Sequence, residues 1–476
     1  MHGPIEVAAT RTFVRAEKTA YVWGIAIVAA LGGLLFGYDW VVIGGAREFY
    51  EIYFHLTSAN MVGWANSCAL VGCLAGSLIA GSIADRFGRK PVLLVSALLF
   101  AVSSIFTGWA YGFTSFIVWR MAGGVAIGLS SNVSPLYIAE VSPSSLRGRL
   151  VSLNQFAIVV GILLAQVVNW LVAKPIPEHA SVGVLFSSWN VQYGWRWMFS
   201  ALVIPSAIFA FAAFWIPESP RWLAARGREI EAYRTLERVG GQNYAQAELA
   251  NIDRTLRVED KVTTNFWQEL ARPAVRRVLL VGIALAVLQQ WTGINVLFNY
   301  ATEVYRNAGY GANDIFLNIV ITGTINLVFT IAAMFLIDRV GRRKLMILGC
   351  AGIAVSHFLC AIAYRAGMGG IAVLVLTLSA IGCYALTLAP VTWVLISEIF
   401  PQRVRAHGVS IAVSALWIAS FALTYSFPIL NRSLGTASVF AGYGVICILG
   451  SILVTTSVTE TKGRSLEEIE AGVLRE

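Results

Sequence analysis

The sequence predicts an all-α membrane protein of about twelve transmembrane helices, in two pseudo-symmetric six-helix bundles joined by a short helical linker. Three observations predict it. Apolar runs long enough to cross a bilayer recur along the chain, basic residues collect in alternate loops, and loop motifs of the first half return in the second.

Of 476 residues, 57% are hydrophobic and 13% charged, against about 25% charged in an ordinary soluble domain. The formal net charge is +9. Lys and Arg lie in short loops and at the termini, where anionic headgroups hold them, so no nucleic-acid partner is indicated. The cysteines at 68, 73, 350, 360, 383 and 447 fall in apolar runs without C-x-x-C spacing and read as small buried residues. The first apolar run is longer than the h-region of a signal peptide and lacks an A-x-A-like site.

The runs lie near 20–44, 59–82, 91–110, 114–140, 149–173 and 196–216, then near 276–305, 313–337, 344–365, 370–397, 406–427 and 437–458. The expected organisation is therefore a tail at 1–19, a bundle at 20–216, a linker at 217–275, a bundle at 276–458 and a tail at 459–476. "REIEAYRTLERV" and "QAELANIDRTLRV" in the linker have helical periodicity with many charges, as surface helices do. "RFGRK" (86–90), the 143–149 loop, the linker, "RVGRRK" (339–344), "PQRVRAH" (401–407) and the tail are basic. The alternate loops hold little more than Arg47, Lys174, Arg306, Arg365 and Arg432. That asymmetry places both termini in the cytoplasm, and an even number of spans satisfies it.

"IADRFGRK" (83–90) returns as "LIDRVGRRK" (336–344), and "AEVSPSSLRG" (139–148) as "SEIFPQRVRA" (397–406). "PESPRWL" (217–223) has a weaker partner in "TETKGRSL" (459–466). Two bundles related by duplication follow. Charged motifs repeated at helix ends have a mechanical reading. Asp85, Glu140, Asp338 and Glu398 can pair with Arg86, Arg89, Arg147, Arg342 and Arg405 across the bundle interface, latching the cytoplasmic side. Glu218 and Arg339, in the same motifs, join that set. The blander reading makes them topology determinants and helix caps. Gly72 and Gly76 have the spacing of close helix packing.

Together "GGLLFGYD", "DRFGRK", "PESPRWL", "QQWTGIN", "DRVGRRK" and "SEIFPQRVR" cover nearly the whole chain in order. On these motifs the chain resembles the sugar porters of the major facilitator superfamily, most of all bacterial proton-coupled pentose and hexose symporters. The resemblance implies a monosaccharide and a proton as partners; no cofactor and a monomer are expected, the low charge fits a lipid bilayer as surroundings, and the compact loops and short termini favour a bacterial inner membrane.

A sugar needs neutral amides and aromatic planes around it. "LQQWTGINVLFNY" supplies Gln289, Gln290 and Asn295 within two turns, with Gly293 permitting a local break. Gln166 and Asn326 are isolated amides in other runs, and Trp393 and Trp417 offer indoles. Alone, such residues are as readily interhelical glue. The resemblance implies Gln166, Gln289, Gln290, Asn295, Asn326, Trp393 and Trp417 as substrate-binding residues, and Phe36 and Tyr300 as gate aromatics. Asn299 where a second tyrosine is usual, Ala389, Leu416, Trp40 and Thr459 depart from the family pattern and bear on which sugar is preferred.

Asp39, inside the first run, costs about 2.5 to 3.5 kcal/mol to insert unless it is paired. Arg120, in the fourth run, is the other ionisable residue read inside the first bundle. Arg keeps its proton and Asp can gain one, so an Asp39–Arg120 pair that separates as the bundles rock is a proton-coupling device. The rivals are a proton-independent facilitator, a polyol or inositol transporter, a sugar sensor, and a permanent structural ion pair. An enzyme is not indicated. The histidines at 2, 55, 179, 357 and 407 are scattered, no metal-ligand constellation or H-E-x-x-H appears, and no nucleotide fingerprint follows a strand.

Overall fold

A computed structural model of the protein describes residues 16–175, 182–261, 269, 272–401 and 404–462, without the side chains of 16–18, 182, 258–261, 312, 313, 338 and 406. Twelve helices among them are long and apolar enough to cross a membrane. Spans 1 to 6 are Thr19–Tyr53, Ala59–Phe87, Arg89–Gly108, Phe113–Val141, Arg147–Val172 and Gly183–Trp215. Spans 7 to 12 are Pro273–Asn299, Asp314–Ile337, Arg342–Arg365, Ile371–Glu398, His407–Leu434 and Thr436–Ser457. Large apolar side chains such as Leu98, Ile204, Phe211, Leu348 and Ile452 stand exposed along them, as on a surface that meets lipid. The protein is a multi-pass integral membrane protein. Three short helices, Pro220–Ala225, Glu229–Gly240 and Gln242–Lys261, link the halves.

Close approach within the first half rests on glycine. Gly72 and Gly76 of span 2 face Gly124 and Gly128 of span 4 so tightly that an added Cβ on any of them would strike the other backbone. Between the halves, span 1 packs on span 7, span 2 on span 11, and span 5 on span 8.

Two spans depart from the expected bounds. Span 1 continues past Gly44 to Tyr53, because Arg47, Glu48 and Glu51 find charged partners at its end instead of marking a loop. Span 6 starts earlier, through a π-helical turn at Asn190–Gly194. There Arg196 donates to the carbonyls of Gln192, Gly108 and Ala110 at 3.0, 2.8 and 3.1 Å, so its charge is satisfied inside the fold.

The duplication is visible in the helix caps. Gly88 and Gly341 sit at φ +102° and +101° between consecutive spans, a backbone region that side chains disfavour. Beside each lies a carboxylate. Glu218 accepts from the backbone N–H groups of Arg89 (2.9 Å), Lys90 (3.2 Å) and Ser219 (2.7 Å). Glu460 accepts from those of Arg342 (2.9 Å), Arg343 (3.2 Å) and Lys462 (3.0 Å). Each closes the positive end of the span that follows the glycine. Burial pushes the Glu218 carboxyl above its usual range, and its backbone N–H donors pull the other way. Glu218 is thus a helix cap, and Glu460 is its counterpart in the weaker repeat.

Glu218→Ala and Glu460→Ala should each lower stability by roughly 1–2 kcal/mol, since each strips a helix N-terminus of its acceptor. Thermal unfolding in detergent checks this. Unchanged midpoints in both variants would show that solvent replaces the caps without loss.

Candidate functional site

Span 1 brings Asp39 against Arg120 of span 4. Arg120 Nη1 donates to Asp39 Oδ1 at 2.8 Å, and Nη2 lies 3.5 Å from the Asp39 carbonyl oxygen. Both residues are buried, at 4% and 3% exposure, and the guanidinium also stands 5.3 Å from the Phe199 ring centre. Asp39 Oδ2 and Arg120 Nε have no protein hydrogen-bond partner. The pair is therefore monodentate, which leaves one carboxylate oxygen free of the cation. Gly123, one turn along span 4, keeps open the space beside Oδ2. Arg120 is not the only cation buried in this half, since Arg47 and Arg196 are 7% and 6% exposed.

The second constellation follows from a break in span 7. Its first helix ends at Trp291, Gly293 adopts φ +82°, and a second helix runs Ile294–Asn299. Across that break the amides form a chain. Asn295 Nδ2 donates to Gln290 Oε1, Gln290 Nε2 to Gln289 Oε1 at 3.2 Å, and Gln289 Nε2 to the Ala389 carbonyl at 3.3 Å. Ala389 follows a second interruption, in span 10, where one helix ends at Leu386 and the next starts at Leu388. One polar chain thus ties the two discontinuous spans together.

Gln166 of span 5 is 1% exposed, and neither of its amide atoms has a protein hydrogen-bond partner. Its Oε1 occupies the space a Cβ would take at Gly323 of span 8, so the amide sits on the seam between the halves. Asn326 lies one turn beyond Gly323 in span 8 and is 5% exposed. Trp417 Nε1 donates to Ser77 Oγ across the halves at 2.9 Å, and its ring meets Phe36 and Trp40, each at 6.0 Å. Trp393 is 37% exposed and joins none of these groups. Tyr300 belongs elsewhere. It is fully buried, donates to the Thr424 carbonyl at 2.6 Å and lies 4.6 Å beneath Arg47.

In this state the latch residues pair within their own halves. Arg89 grips Glu140 with two bonds, at 2.9 and 3.0 Å, and pairs with Asp85 at 3.1 Å, all inside the first half. Arg342 lies 3.5 Å from Glu398 inside the second half. Arg405 Nε donates to the Phe400 carbonyl, Arg86 lies over Phe87, and the Arg339 carbonyl accepts from Lys462. Arg147 is exposed and acts electrostatically on Tyr244 of the linker, and Asp338 lies outside the described side chains. Among the described residues, no ion pair joins the halves at this end. Arg89 and Arg342 each follow a glycine cap and fold back on an acid of their own half.

The halves are clamped at the opposite end. Arg47 of span 1 pairs with Glu51 (2.5 Å) and with Glu303, beyond span 7, at 2.6 Å. Glu48 pairs with Arg306, Asn431 donates to Glu303, and Arg432 donates to the Thr57 carbonyl at 2.9 Å. Arg47, Glu48, Glu51, Glu303, Arg306 and Arg432 line a cavity of about 170 Å³. Sequence reasoning passed over Glu48, Glu51 and Glu303 and placed Arg47 and Arg306 in loops. The i, i+4 spacing of Arg47 and Glu51 was the available signal.

Residues 25–472 match the family described as "Sugar (and other) transporter". The arabinose-proton symporter of Bacillus subtilis (strain 168) is 37% identical over 468 residues, covering 98% of this chain and 98% of the relative. The D-xylose-proton symporter of Escherichia coli (strain K12) is 35% identical over 485 residues, covering 95% and 96%. Among solved structures, the inward-open conformation of the E. coli xylose transporter XylE superposes with a TM-score of 0.83 at 33% identity, covering 95% of this chain and 99% of that one. The chain belongs to the sugar (and other) transporter family, with the fold of the major facilitator superfamily.

Replacing Arg47 and Arg306 together by Gln should loosen the clamped end by about 1 kcal/mol or more, roughly fivefold in its open population. A Val62→Cys reporter, on the cavity wall, should then react faster with a membrane-impermeant maleimide. An unchanged labelling rate would show that the ion pairs do not hold that end closed.

Proposed function

We propose that the protein is a secondary active transporter that carries a monosaccharide, a pentose or hexose, together with a proton by alternating access. The observation that carries this reading is the buried Asp39–Arg120 pair, 2.8 Å apart and half satisfied. A carboxylate in such a place is kept charged by one cation. When the halves rock and the pair separates, the carboxylate takes a proton in the cation's stead, and the proton leaves when the pair re-forms. Arg120 holds its charge throughout.

The sugar, on this reading, sits between the halves against Gln166, Gln289, Gln290, Asn295 and Asn326, with Trp417 closing one side and Trp393 at the opening. Gln166 supports it most directly: a buried amide with both ends free of protein partners is costly unless a polar ligand meets it. The relatives named above as arabinose-proton and D-xylose-proton symporters support the pairing of pentose and proton. The end bearing the DRFGRK and DRVGRRK motifs would face the cytoplasm with both termini, in a bacterial inner membrane. The state described is then inward-facing, held by the clamp around Arg47 and Glu303. The chain would work as a monomer without cofactor or catalytic chemistry.

In proteoliposomes, wild type should accumulate labelled xylose or arabinose up to about tenfold per unit of imposed pH difference, the limit for one proton per sugar. Asp39→Asn should still exchange sugar across the membrane but lose the accumulation. An Asn variant that accumulates like wild type would refute the coupling role.

A further inference from the structure

His357 of span 9 is 1% exposed, and the transport scheme above makes no use of it. Its Nε2 lies 2.8 Å from the carbonyl oxygen of Thr292. A carbonyl only accepts, so Nε2 carries the hydrogen.

That carbonyl is the one the break in span 7 sets free. In a continuous helix the Thr292 carbonyl would accept from the N–H of Val296, four residues on. Here Val296 N–H turns to the Gly293 carbonyl at 3.1 Å, while Thr292 N–H still closes the first helix on Leu288 at 3.1 Å. Thr292 is fully buried, so no solvent takes up its oxygen. The imidazole does. Its ring is fixed by Phe440 and Tyr443 of span 12, at 5.4 and 6.0 Å. Tyr443 also packs on Gly293, where any Cβ would overlap its ring. The break is thus enclosed by span 9 on one side and span 12 on another.

We infer that His357 is a positioning residue for substrate: its Nε2–H fills the hydrogen-bond position vacated at the break and so fixes the half-helix carrying Gln289 and Gln290 relative to the half carrying Asn295. The inference rests on the reading of span 7 as substrate-bearing. A side chain that donates from the same place should serve, and one of similar shape that cannot donate should not.

The test compares wild type with His357→Gln, whose Nε2 can reach the carbonyl, and His357→Phe, which keeps a ring and loses the donor. Xylose uptake in proteoliposomes should show KM raised about tenfold in His357→Phe with Vmax little changed, and His357→Gln close to wild type. Hydrogen–deuterium exchange of the purified proteins without sugar should be faster in the peptide spanning 292–300 for His357→Phe only. If the phenylalanine variant does not fold, His357→Asn, whose amide stops short of the carbonyl, replaces it. Wild-type behaviour of the non-donating variant in both measurements, or equal impairment of His357→Gln, would overturn the inference. If wild type carries arabinose or a hexose in place of xylose, that sugar serves in the uptake assay; if it carries no pentose or hexose, the transport reading fails and the exchange measurement alone decides the role of His357.

Discussion

A carboxylate placed midway along a membrane-spanning helix constrains everything packed around it. Asp39 is tolerable because span 4 delivers Arg120 within 2.8 Å, with Gly32 of span 1 packed against Ser134 of span 4 and Gly123 leaving room beside the carboxylate. Breaking such a pair by deleting one partner leaves a bare buried charge, a cost of about 3–5 kcal/mol. Protonation is the inexpensive way to part it. A proton therefore does for this bundle what no neutral solute does, and this ties the electrostatics of the first half to the rocking proposed for the whole.

The halves are alike in their caps and unlike in their cores. Gly88 with Glu218 and Gly341 with Glu460 build the same turn twice. The ion pair belongs to the first half alone, and the broken spans 7 and 10 to the second. On the proposed reading this divides the labour. The first bundle carries the proton site, and the second, interrupted in spans 7 and 10, offers backbone and amide groups to a sugar. Irregular backbone is tolerated at membrane depth where protein or a polar cavity satisfies it, which is the service His357 gives to Thr292.

Hydropathy made the spans legible, since each must hide its backbone from lipid and none can be shorter than the hydrocarbon core. It failed where charge is satisfied inside the fold. Arg47, Glu48 and Glu51 look like a loop until Glu303 and Arg306 arrive from a segment some 250 residues away. The Asp39–Arg120 pair was legible because few buried partners were available. The partners that the latch residues take within their own half were not, because a repeat shows which residues are equivalent and says nothing of which they touch. Arg89 turned to Glu140 in its own half. Likewise the seat of Gln166 against Gly323 depends on the packing of span 5 on span 8, and the place of Tyr300 under Arg47 on the clamp that joins the halves, neither of which a local pattern encodes.

The central claim is that sugar and proton move together, and the most direct measurement records both at once. Wild-type protein in lightly buffered proteoliposomes, given xylose or arabinose outside, should alkalinise the medium at a rate that follows labelled sugar entry as concentration is varied. Sugar entry with no accompanying change in external pH would contradict the account and leave Asp39 and Arg120 as a structural pair in a facilitator.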